Sequence, residues 1–229
     1  MNRVIYTPDE AFAKMESIDG SVIITGVFNE ANESDKAMMA TFLNTDAEKA
    51  EEVFNLYFHW YNIVHELCHI VAMHNNIHPT ELVPVEWMVN RMAAAFWRTF
   101  GNRAVYGELR EAVAKAKAGL PNPVPENMGF EDFYVDYHNM DDSTMQLYAY
   151  FQFSLVDRAL KETESIYDVL DEYGLKPTKV NADISRYIPG SDPQEIIDSA
   201  IQIYRDMGVG VPSVQVLFCD NPNVHCAPK

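Results

Sequence analysis

The chain has 229 residues, 48% of them hydrophobic and 12% aromatic, with a formal net charge of −17. Such a length and apolar content suit one folded domain and exclude intrinsic disorder, while the charge opposes partnership with nucleic acid or an anionic membrane, whose phosphates would repel it. No apolar run approaches the ~20 residues of a membrane span, the first ten residues lack a signal-peptide stretch, and three cysteines (Cys68, Cys219 and Cys226) give no disulfide framework, so the chain reads as cytoplasmic and soluble.

In chain order, Pro8-Asp9-Glu10 is able to open a short helix. Ser21–Phe28 is rich in β-branched residues and predicts a strand. A polar turn over Asn29–Lys36 precedes Ala37–Leu43, read as a second strand, although its Met and Ala content fits a helix almost as well. Thr45 or Asp46 can cap a helix that becomes apolar nearly all round from Val53 to Met73, the mark of a buried element. A loop over His74–Pro84 leads to a helix over Val85–Phe100 with small residues at Ala93, Ala94 and Ala95. Asn102 caps a helix over Arg103–Ala118, stopped by Gly119 and Pro121. Beyond the proline-rich stretch 121–125 and an aromatic, acidic segment (Phe130–His138), one long helix is expected over Ser143–Tyr173 and another over Asp192–Met207. A short strand over Val214–Phe218 comes near the end.

Chemistry concentrates in Tyr61-Asn62-Ile63-Val64-His65-Glu66-Leu67-Cys68-His69-Ile70-Val71. Positions four apart share a helix face, so His65 and His69 can reach one metal ion with the Glu66 carboxylate beside it. That is the His-Glu-x-x-His zinc pattern, in which the imidazoles bind and the glutamate handles a proton. A catalytic zinc needs a third protein ligand and an open position, and Glu86 on the next helix is the best candidate, with Glu81 as its competitor. Asn90 lies one turn after Glu86, where its amide can accept the outer N–H of a ligating histidine. His59, His74 and His78 flank the motif, and the tail from Cys219 to Cys226 with His225 has the composition of a second, soft metal site. Tyr137 and His138, followed by Tyr148 and Tyr150, are candidates for stabilising an oxyanion.

His65-Glu66-Leu67-Cys68-His69 followed by Glu86-Trp87-Met88-Val89-Asn90-Arg91-Met92-Ala93-Ala94 resembles the gluzincin branch of zinc metallopeptidases. It is most similar to the ImmA/IrrE-type group, with its His-Glu-Leu-(Gly/Ala)-His helix and Glu-x-x-Ala-Asn-x-Phe-Ala-Ala helix. Cys68 replaces the small residue of that pattern and Val89 the alanine before the asparagine. The resemblance covers about residues 55–100. It implies His65, His69 and Glu86 as zinc ligands, Glu66 as general base and a polypeptide substrate, in this group a transcriptional regulator.

The expectation is a single α+β domain of zincin-like architecture, with a small antiparallel sheet. Residues 1–125 would hold the sheet and zinc helix, and helices of residues 126–229 would pack over the catalytic pair. Either Ser21–Phe28 or Ala37–Leu43 would offer a sheet edge to which an extended substrate adds as a strand. Two other readings share the motif: a regulatory or interaction protein keeping the zinc-bearing scaffold without hydrolysis, and a hydrolase of non-peptide amides.

Overall fold

A computed structural model describes residues 3–5, 21–134 and 145–219. Its elements are β1 (Arg3–Ile5), β2 (Ser21–Gly26), α1 (Glu33–Phe42), α2 (Ala50–Phe54), α3 (Asn62–His74), α4 (Leu82–Phe100), α5 (Arg103–Gly119), α6 (Phe130–Tyr134), α7 (Met145–Lys161), α8 (Ile166–Glu172), α9 (Pro193–Asp206) and β3 (Val214–Cys219). The described chain is mostly helical with one small sheet, an α+β arrangement.

The sheet corrects the antiparallel expectation. Its order is β1-β2-β3, with β2 antiparallel to β1 and parallel to β3, Ile23 lying opposite both Val4 and Val216. The β-branched run of β2 is buried along its whole length, as suits a central strand covered on both faces. β2 therefore has no free edge. The outer edge of β3 is also occupied: Gln194 of α9 donates from Nε2 to the Val214 carbonyl (3.0 Å) and accepts from the Val216 N–H at Oε1 (2.7 Å).

Ala37–Leu43 falls in α1 and the residue after it rather than in a strand. Met39, Ala40 and Leu43 are its buried residues, a helical spacing, and Met and Ala favour helix intrinsically. Asn44, at φ 48°, then takes the left-handed conformation that ends many helices.

The buried rod around the motif is longer than its apolar run and less regular. Between α2 and α3, residues Asn55–Tyr61 wind as a π-helix, whose i→i+5 bonding widens the turn. His59 of this segment bonds the Gly26 carbonyl at 2.8 Å, tying the rod to the end of β2. α4 begins at Leu82, three residues before the expected start. Pro84 is harmless there, because first-turn N–H groups have no partner inside the helix. The expected helix over Ser143–Tyr173 is two helices in the described residues, α7 and α8. Ser165 starts the second through a capping box with Asp168.

α3 packs on α4, α4 on α7 and α8, and α9 against α3 and β3. Trp60 stacks on Trp97 at 3.9 Å between centroids, and Phe96 stacks on Tyr204. Ala93, Ala94 and Ala95 are buried on α4. Arg91, also on α4, is held by Glu164 and Glu172 from the segments around α8. The helix carrying the motif thus sits at the centre of a packed core, which fixes its side chains in place.

Candidate metal centre

α3 places His65 and His69 one turn apart, both buried, at 3% and 7% exposure. Their ring centroids lie 5.0 Å apart. Among the described residues, His65, Glu66 and His69 form a buried group whose donor atoms all lie within 4.8 Å of one another, and which could hold a metal ion. Glu86 of α4 reaches the same point: its Oε2 is 3.5 Å from His65 Nε2 and its Oε1 is 3.4 Å from His69 Nε2.

These separations exceed the ~2.7–2.9 Å of a direct charge-assisted hydrogen bond. They match the donor–donor edge of about 3.3–3.4 Å that ~2.0–2.1 Å bonds make in a tetrahedron. The protonation pattern points the same way. His65 Nδ1 lies 3.0 Å from Asn90 Oδ1, an oxygen that can only accept, so the proton sits on Nδ1. Asn90 is oriented by donating from Nδ2 to the Glu86 carbonyl at 2.8 Å, and its Oδ1 also accepts from the Tyr61 hydroxyl at 3.0 Å. Neutral His65 therefore turns a bare Nε2 lone pair towards a carboxylate oxygen. Two acceptors face each other, an arrangement that a cation resolves.

Electrostatics divide the two carboxylates. Burial acts to raise the Glu86 carboxyl, but its 3.4 Å contact with His69, the charge of the nearby imidazoles and a hydrogen bond from Gln152 outweigh it and hold the pKa at about 2. Burial pushes Glu66 up to about 7, the charge of Glu86 adding to the rise while His69 and the Asn62 amide pull against it. Burial lowers His65 to about 4 despite the pull of Glu86. For His69 burial is overcome by Glu86, which raises it above its ordinary value.

No family model, no curated protein and no solved structure matches this chain. What can be said of the site comes from its own geometry.

A cleft opens onto this centre. His65 and Glu66 line it with Asn62 and Gln152, beside mostly apolar side chains from α1, the π-helix and α7. α7 contributes Tyr148, Ala149, Gln152 and Phe153 to its lining. Asn62 donates to Glu66 Oε1 at 3.0 Å, and Gln152 donates to Glu86 Oε2 and to the Tyr148 hydroxyl, both at 3.1 Å. Sequence reasoning missed these two amides. Asn62 had a readable signal, since it precedes Glu66 by one helical turn just as His65 precedes His69. Gln152 had none, because its partner lies 66 residues away.

The other candidates divide clearly. Tyr137 and His138 lie outside the described residues, as does the tail beyond Cys219. His59 is engaged with Gly26. His78 bonds the Pro79 carbonyl, its ring 6.1 Å from that of His69, and Glu81 is an exposed residue at the N-cap of α4. Among the described residues, His69 Nδ1 is buried without a hydrogen-bond partner. Among the described residues no helix is long and apolar enough to cross a membrane.

Proposed function

We propose that the protein is a zinc-dependent peptidase, with His65, His69 and Glu86 as metal ligands and Glu66 as general base. The observation carrying this reading is the convergence of Glu86 on both imidazole Nε2 atoms at 3.4 and 3.5 Å, next to a second carboxylate that stays out of that contact. The donor set, two histidines and a carboxylate on a buried helix pair, suits zinc in a catalytic setting. The resemblance of the two helices to the ImmA/IrrE-type gluzincins supports the same roles.

Zinc bound there supplies Lewis acidity, acidifying a water and polarising the substrate carbonyl. Glu66 lines the cleft, with Oε1 fixed by Asn62 and Oε2 left to accept the proton of that water. With water as the second reactant the amide C–N bond would be exchanged for a C–O bond, and Glu66, holding the proton taken from water, is placed to return it to the departing nitrogen. A carboxylic acid and an amine result, with no other reactant. Burial favours this proton traffic, because a carboxyl near pKa 7 both takes and gives a proton at neutral pH. Asn90 fixes the His65 tautomer, and Gln152 holds the Glu86 carboxylate from α7.

The direct test incubates zinc-loaded protein with casein-derived peptides and maps new termini by mass spectrometry. Cleavage by the wild type that vanishes in Glu66→Gln supports the reading; cleavage surviving in that variant removes Glu66 from its role, and no cleavage by either removes the peptidase.

A further inference from the structure

The walls of the cleft above the metal centre are built by Met38, Met39, Phe42 and Leu43 of α1 and the residue after it, Phe58 of the π-helix and Phe153 of α7. The polar residues lining it are Tyr57, Asn62, His65, Glu66, Tyr148 and Gln152. No residue of the sheet lines it. We propose that this cleft receives a bulky uncharged side chain, such as leucine, methionine or phenylalanine, of a polypeptide substrate beside the bond to be cut. The inference rests on the peptidase reading and deepens it by naming the substrate class.

Four observations support it. First, the walls carry no charge to pair with a charged side chain, which would be desolvated without compensation. Second, Phe42 and Phe58, which line the cleft, are only partly buried against the core. Third, Met38 and Met39 are unbranched and adaptable, suiting a wall that accepts several apolar shapes. Fourth, the strand-addition alternative loses its two expected edges: β2 is central, and Ala37–Leu43 supplies helical wall instead. Recognition at this point is therefore by side chain rather than by backbone pairing. The occupant belongs to a substrate because His65 and Glu66 line the same cleft as these apolar side chains.

The test uses the full chain carrying Glu66→Gln, with zinc added and with 13C in the methionine ε-methyl groups. Titration with N-acetyl-leucyl-leucinamide is expected to shift the Met38 and Met39 signals saturably, leaving Met128, which does not line the cleft, in place. N-acetyl-seryl-asparaginamide should bind about tenfold or more weakly, the discrimination a hydrophobic pocket gives. Met38→Ser, at a half-buried position that tolerates the change, should weaken leucinamide binding. Phe42→Trp, which fills the cleft, should do so more strongly. Equal binding of the two dipeptides, or shifts confined to other methionines, overturns the proposal. The peptide-mapping experiment separates it from the peptidase reading. Glu66-dependent cleavage without preference for bulky apolar residues overturns the cleft assignment alone. Selective leucinamide binding without any cleavage upholds the cleft and overturns the peptidase.

Discussion

Asn90 gives the sharpest perturbation of the centre that leaves every metal ligand in place. It is fully buried, its Oδ1 accepts from His65 Nδ1 and Tyr61 OH at 3.0 Å each, and its Nδ2 donates to the Glu86 carbonyl at 2.8 Å. Asn90→Ala strands the buried His65 Nδ1–H and leaves the Tyr61 hydroxyl only its 3.4 Å contact with the backbone carbonyl of residue 90, so a stability loss of about 1–3 kcal/mol is expected. It also frees the His65 ring to turn and change tautomer, which lowers zinc affinity about 10–100-fold. Asn90→Asp separates the two effects. It keeps an acceptor for His65 and Tyr61 but sets an oxygen against the Glu86 carbonyl, so it should lose stability and retain zinc affinity within about tenfold of wild type. Chelator competition at pH 7.5 reads the affinity, and denaturant unfolding of the metal-free proteins reads the stability. Wild-type affinity in Asn90→Ala, or equal weakening in both variants, would refute the reasoning that this amide orients a ligand.

Three further outcomes are expected. Glu66→Gln should keep its zinc and lose hydrolysis by about 10²–10⁴-fold, measured as turnover of a cleaved peptide against metal content. Zinc affinity should fall about tenfold per pH unit as the pH drops below the raised pKa of His69, because the imidazolium proton held there by Glu86 and Glu66 must leave before the metal binds; chelator competition between pH 5.5 and 8 reads it, and a flat profile would contradict it. Arg91→Met should destabilise the fold by about 1–3 kcal/mol through loss of its bonds to Glu164 and Glu172. Arg91 lowers the Glu172 pKa from its ordinary 4.5, so this contribution is present above pH 4.5 and is lost as the pH falls through the depressed value; the variant and wild type should converge in acid unfolding.

The centre was more legible in the sequence than the fold around it. His65 and His69 lie one helical turn apart, so periodicity alone places them on a shared face with Glu66 beside them, and Asn90 follows Glu86 by the same rule. α5 and α9 carry their own caps, Asn102 and Asp192, and apolar faces, and their extents were close to readable. The sheet was not. Ser21–Gly26 announces a strand, but its central place depends on β3, nearly the whole chain away, and parallel pairing leaves no local turn signal. Met39, Ala40 and Leu43 were ambiguous because a short apolar run fits either period, and tertiary burial decided for helix. The break between α7 and α8 could have been seen in Ser165 and Asp168, a capping-box spacing within a run that otherwise reads as one helix. Gln152 and Gln194 act through amide contacts across the fold, which no window along the chain reveals.

The central claim is that two imidazoles and the Glu86 carboxylate hold one cation. Elemental analysis of the purified protein, beside a variant carrying His65→Ala, His69→Ala and Glu86→Ala together, tests it most directly. About one zinc per wild-type chain and none in the variant is the expected result. A metal-free wild type that takes up no added zinc, or a variant that keeps its metal, would contradict the account.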